Sequence, residues 1–319
     1  MMEEMMIGTY IRQKRLEKDW TQERLCDGIC SVGTLSRIEN NERPPSIRVA
    51  KALLQKMGFS SAPYVALLGR ADILAERLQK EICDDSIRFE EAMEEERPQI
   101  RERILKRLNE LESLCGEDDR FIRQFVLNIR VTVGTPEGPY RPEERLELLL
   151  EAIRLTIPNF DLKKISRFRY SVQEVMLINK VARTYARAGD RKKAIGILSQ
   201  LLRYIEKNNQ ELDKFAAQFC LVAHNCSIYL ATEERYKEAA ELAQKGWDVS
   251  VEKGDYQFLP GFVAILAGCE YFQGNRERSA ELYVQACVLY KTLKDERNLA
   301  IMKREMKEYL GLEPPYQMR

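Results

Sequence analysis

The chain is 319 residues long with a formal net charge of +1, and 45% of it is hydrophobic and 32% charged; that length suits two domains rather than one. No apolar run approaches the length that spans a bilayer, and the opening MMEEMM is acidic, so neither a membrane span nor a signal or transit peptide is expected, and a cytoplasmic location is. The eight cysteines include no Cys-x-x-Cys pair and His224 is the only histidine, which argues against zinc and for reduced, mostly buried thiols.

A first helix is expected from about Met6 to Lys18. Thr21 then caps a short second helix containing Leu25, Gly28 makes a tight turn, and Ser31 caps a third helix. Leu35 and Ile38, three apart, give that third helix one apolar edge. The other edge carries Val32, Gly33, Ser36, Arg37 and Asn40, small or hydrogen-bonding residues. A helix of that kind enters a DNA major groove, where Arg and Asn read base edges, and the arrangement is a helix-turn-helix. The positions expected to touch DNA are Gln22, Ser31, Ser36, Arg37, Asn40 and Arg43, with Gln22 at a phosphate and Ser36 or Arg37 at bases; Val32, Gly33 and Thr34 are evenly balanced between contact and structure. Leu25, Leu35, Ile38, Val49 and Leu53 read as core. From Ile7 to Phe59 ten Lys/Arg face six Asp/Glu, a local +4, whereas 84–119 carries −7. A modestly positive head suits site-specific binding by a dimer.

Arg15 seven residues before Gln22, the Thr-Gln-Glu opening of the second helix, and Thr-Leu-Ser-Arg-Ile-Glu-Asn at 34–40 resemble the lambda-repressor-like, or XRE, helix-turn-helix family from Ile7 to about Phe59. The resemblance implies an ion pair between Arg15 and Glu39 joining helices one and three. The turn GICS is one residue shorter than the commonest form and looks like the variant of peptide-pheromone-sensing regulators. Asn41 stands where that family commonly has Gly, a mild change because Asn tolerates a left-handed C-cap.

Beyond a fourth helix from Ser46 to Met57, ended by Gly58, and a fifth at Ala62–Leu68, the chain reads as helix after helix. Residues 175–208 fit the 34-residue tetratricopeptide pattern through Ala182, Tyr185, Gly189, Ala194, Leu198 and Leu201. Residues 220–253 and 260–293 fit again, and a looser copy spans 120–157 with the longer turn TPEGPYRPEE. A degenerate first pair is expected at 70–115, broken near Asp84–Asp85, with the acidic run EEAMEEERP at 90–98 a solvated helix face. A last helix at 295–310 closes the stack. The expected fold is all-α: a helix-turn-helix domain at 1–68, then a right-handed superhelix of tetratricopeptide-like repeats at 69–319.

With Gly189 at repeat position 15, Asn179 and Arg183 fall at positions 5 and 9, on one face of the inner helix. The same count gives Gln124 and Asn128, His224 with Asn225 beside it, and Ala264 and Gly268. Carboxamides both donate and accept, as an extended peptide backbone requires; Arg183 suits a carboxylate, and the small residues leave room for an apolar side chain. The alternative is that these polar groups are merely solvated. No catalytic constellation, metal cluster or phosphate loop stands out, so neither a cofactor nor an enzyme is expected.

The domain order and the GICS turn together resemble the RRNPP group of quorum-sensing regulators over nearly the whole chain. That resemblance implies a cytoplasmic homodimer that binds double-stranded operator DNA and a short signalling peptide, with asparagines on the inner helices holding the peptide backbone. The other reading is a DNA-tethered protein-interaction scaffold with no small peptide ligand.

Overall fold

The computed structural model describes residues 7–42, 45, 47–59, 70–114, 119–207 and 212–313. The expected contact at Arg43, the fifth helix at 62–68 and the domain boundary at 68/69 lie outside them. The described residues form fifteen α-helices and no strand. The chain divides into two compact units, residues 1–160 and 161–319.

In the first unit, α1 (Ile7–Leu16), α2 (Gln22–Cys26), α3 (Val32–Glu39) and α4 (Ile47–Lys56) enclose one apolar core. Leu25, Leu35, Ile38, Val49 and Leu53 are all buried in it, as their spacing predicts. The caps are those expected: the Thr21 hydroxyl accepts the Arg24 N–H at 3.2 Å and the Ser31 hydroxyl the Thr34 N–H at 3.1 Å. Asn41 takes a left-handed φ of 59° after α3. Helices α1 and α3 touch at Gly8, where an added Cβ would lie 1.8 Å from the Ile38 carbonyl oxygen. The Gly28 turn, at φ +72°, is also tight, because a Cβ there would lie 2.5 Å from the Thr156 oxygen.

Four further helices complete this unit: α5 (Arg70–Glu91), α6 (Arg97–Leu114), α7 (Arg120–Val133) and α8 (Pro142–Thr156). The expected break at Asp84–Asp85 is wrong, since both residues lie inside α5. Asp85 is buried and held by Arg103 through two bonds of 2.8 and 2.9 Å, with Arg107 beside it. Those guanidiniums on α6 hold its carboxyl below the ordinary value and offset the burial of a charge. The acidic run is likewise not a helix face: Glu90 and Glu91 end α5, and 92–96 form the turn into α6.

The second unit contains the repeat pairs at the expected places: α9 (Val172–Arg187) with α10 (Arg191–Lys207), α11 (Leu212–Thr232) with α12 (Tyr236–Lys253), and α13 (Leu259–Phe272) with α14 (Arg276–Thr292). Ser171 and Glu174 form a capping box that starts α9. Ala182, Ala194, Ser227, Ala239, Ala267 and Ser279 are fully buried, which lets paired helices approach closely. The turns inside the pairs use left-handed residues at Gly189, Glu234 and Gly274. Helix α15 (Glu296–Glu305) and a π turn at Met306–Leu310 match the expected last helix. The segment before α9 has no counterpart in the sequence reading; there Tyr170 donates to the Ile165 carbonyl at 2.7 Å and its N–H to Tyr204 Oη at 2.9 Å.

Ser227 is fully buried and its hydroxyl has no hydrogen-bond partner among the described residues. Burying an unsatisfied hydroxyl opposes folding, so Ser227→Ala should raise stability by about 1 kcal/mol, read as an upward shift in denaturation midpoint.

Candidate functional site

The first candidate surface is the outer face of α3. Arg15 on α1 reaches Glu39 at the end of α3 through two bonds of 2.6 and 2.8 Å, and both side chains are buried. Arg15 also donates to the Trp20 carbonyl at 2.6 Å. This is the ion pair the family resemblance implies. It holds the Arg15 guanidinium above its ordinary pKa. Gln22, expected at a phosphate, is half-buried; its amide donates to Glu39 Oε2 at 2.7 Å and so joins α2 to the same carboxylate. Ser31, Val32, Gly33, Arg37 and Asn40 are exposed, Val32 to 38%, and Thr34 and Ser36 are half-buried. The Ser31 hydroxyl is used twice inside the helix, by the Thr34 N–H and the Thr34 hydroxyl. The exposed helix therefore offers one cation, one carboxamide and little bulk, which suits a groove floor.

The residues expected to line a peptide groove do not fare alike. Gln124 is a correction: only 1% exposed, it donates to the Ala152 carbonyl and to Thr156 Oγ1 at 2.9 and 2.8 Å, tying α7 to α8. Asn128 is also buried on α7. In the second unit, Asn179 on α9 is 1% exposed and accepts a bond from Asn225 Nδ2 on α11 at 3.1 Å. The accessible amide of that pair is Asn225, half-buried. Arg183 is half-buried on the same face of α9.

His224, Ala264 and Gly268 come together on a cavity of about 590 Å³. Gly261 makes room for the imidazole, for a Cβ there would meet His224 Nε2 at 2.3 Å. Phe258 and Phe262 pack on the ring at centroid distances of 5.5 and 5.7 Å. The same cavity is walled by residues the sequence reading missed: Tyr236, Phe272, Tyr283, Tyr290, Glu305 and Tyr309. They lie mainly on second helices and on the closing segment, whereas repeat counting singled out first helices only.

A four-helix head with an exposed third helix, followed by a body of paired helices with a ligand-sized cavity, defines a helix-turn-helix protein with a helical-repeat body. Residues 11–64 match the helix-turn-helix family and residues 149–311, more than half of the chain, match the RNPP family C-terminal domain. The chain belongs to the RNPP family. Its structure is similar to Bacillus thuringiensis PlcR in its apo form, with 19% identity and a TM-score of 0.59 over 94% of this chain and 98% of that one. PlcR in complex with the peptide PapR7 and DNA gives 18% and 0.55, covering 93% and 98%. The competence regulator ComR from Streptococcus vestibularis, in complex with its cognate signalling peptide XIP, gives 19% and 0.50, covering 96% and 98%. At these identities the likeness is one of fold. No curated protein sequence matches the chain.

Two outcomes follow. Glu39→Ala leaves Arg15 buried without its counter-ion and should lose about 3–5 kcal/mol, whereas the paired change Arg15→Met with Glu39→Leu should lose far less; urea denaturation followed by Trp20 fluorescence in a Trp247→Phe background measures both. The second concerns acid. Burial, reinforced by Arg183, pushes the His224 imidazole down from 6.5 to about 4, so the unfolded chain takes up this proton at a higher pH than the folded one. The stability that His224 contributes as a neutral ring is complete above pH 6.5 and falls as pH drops toward 4. Between those limits wild type should lose more stability than His224→Gln, by on the order of 2 kcal/mol, in thermal unfolding scans.

Proposed function

We propose that the protein is a cytoplasmic transcriptional regulator without enzymatic activity, which binds operator DNA as a homodimer through α3 and is switched by a short signalling peptide. Arg37, Ser36 and Asn40 read the major groove, Val32, Gly33 and Thr34 let the helix approach closely, and Ser31 and Gln22 sit where phosphates pass. The peptide lies in the second unit against α9, α11 and α13. Asn225, oriented by Asn179, holds the peptide backbone, Arg183 a carboxylate, and the cavity beside His224, Ala264 and Gly268 a terminal group.

The observation that carries this reading is the cavity itself, found in a body of the RNPP family that follows an exposed reading helix. Its volume of about 590 Å³ lies in the range of ligand pockets and suits a short segment rather than a folded partner. PlcR, similar in fold, has been solved with a peptide and DNA together.

Selection of duplexes from a random pool by the full chain tests the DNA half. Wild type should enrich paired half-sites about one helical turn apart, and Arg37→Ala should weaken binding and relax preference by about 1–3 kcal/mol at one base position. Asn225→Ala should leave that basal binding intact while weakening retention of short peptides. Retention of large proteins and no peptides would favour a scaffold instead.

A further inference from the structure

We infer that the cavity closed by α15 is a cation subsite for the peptide, seating an ammonium or guanidinium group among Tyr283, Tyr290 and Tyr309 against the Glu305 carboxylate. This rests on the peptide reading above and adds to it the charge of the guest.

The lining has one sign. Glu234 and Glu305 border the cavity, and among the described residues no Lys or Arg lines it. His224, pushed down to about 4, stands there as a neutral ring at pH 7. Glu305 is half-buried and accepts the Tyr283 hydroxyl at 3.3 Å. Tyr283 is itself fully buried and so fixes the acid in place. Burial holds the Glu305 carboxyl above its ordinary pKa, a penalty that a cation beside it would remove. Tyr283, Tyr290 and Tyr309 line the cavity with the acid, and aromatic rings attract cations. Tyr309 stacks on Tyr271 at 4.9 Å and Phe272 on Tyr236 at 4.6 Å, which holds the rim rings in position.

Glu234 adds an independent sign. It takes a left-handed φ of 60° at a turn whose counterparts in the flanking pairs are Gly189 and Gly274. A side chain in that conformation costs roughly 1 kcal/mol or more, and here it puts a second acid at the cavity rim.

The test passes two random heptapeptide libraries, one with free and one with acetylated N-termini, over the immobilised full chain, and sequences the retained peptides by mass spectrometry. Wild type should retain peptides carrying a cation over those with none by about tenfold, equivalent to ~1.4 kcal/mol. Glu305→Gln, which keeps the shape, should still retain peptides but lose that preference, and Tyr309→Leu at the half-buried rim should reduce it. A preference that vanishes on acetylation assigns the subsite to the terminal ammonium; one that persists through Lys or Arg assigns it to a side chain. Peptides retained by wild type without any preference for a cation would overturn this inference alone. No peptide retained at all would overturn the peptide reading and this inference with it.

Discussion

The head depends on one buried ion pair. Helix α3 has only eight residues, and Leu35, Ile38 and Glu39 are the ones it buries, too small an apolar edge to fix its orientation alone. Arg15 closes on Glu39 from α1, Gln22 closes on it from α2, and the Trp20 carbonyl takes a further Arg15 donor. Three helix segments are thereby indexed to one carboxylate. Because those bonds lie on the inner side of α3, Arg37 and Asn40 remain outside, exposed. Gly8, where the α1 and α3 backbones meet, allows the pair its short reach.

The second unit follows a different rule. Its helices pair through small buried residues and left-handed turns, so stacking, not polar bonding, determines where each first helix lies. The polar residues are then placed where stacking leaves room. Gly261 admits His224, and Gly246 admits the Phe262 ring, whose nearest atom would lie 2.2 Å from a Cβ there. The cavity is walled by the last two pairs and the closing helix, and its acids come from the α11–α12 turn, as Glu234, and from that closing helix, as Glu305.

Much of this was legible in the sequence because the signals are local. Caps at Thr21 and Ser31, the left-handed Asn41 and the glycines of the repeat turns each announce themselves within a few residues. Asp84–Asp85 misled because adjacent acids disfavour a helix locally, while the compensating Arg103 and Arg107 lie on the next helix. Gln124 misled because repeat spacing identifies a face without telling what covers it; here α8 does, through the Ala152 carbonyl and Thr156. Gln22 is half-buried and gives its amide to Glu39, a bond across seventeen residues that local spacing does not announce. Glu305 and its tyrosines were invisible because they meet only when α11, α13, α14 and α15 are assembled.

We propose that one chain reads DNA with α3 and senses a peptide with its second unit, the two events sharing free energy. The direct measurement is the affinity of the full chain for its selected duplex with and without a peptide it retains. A change of at least about fivefold, in either direction, is expected, matched by the same factor in peptide affinity when DNA is saturating. A peptide that binds tightly while DNA affinity stays unchanged would contradict it.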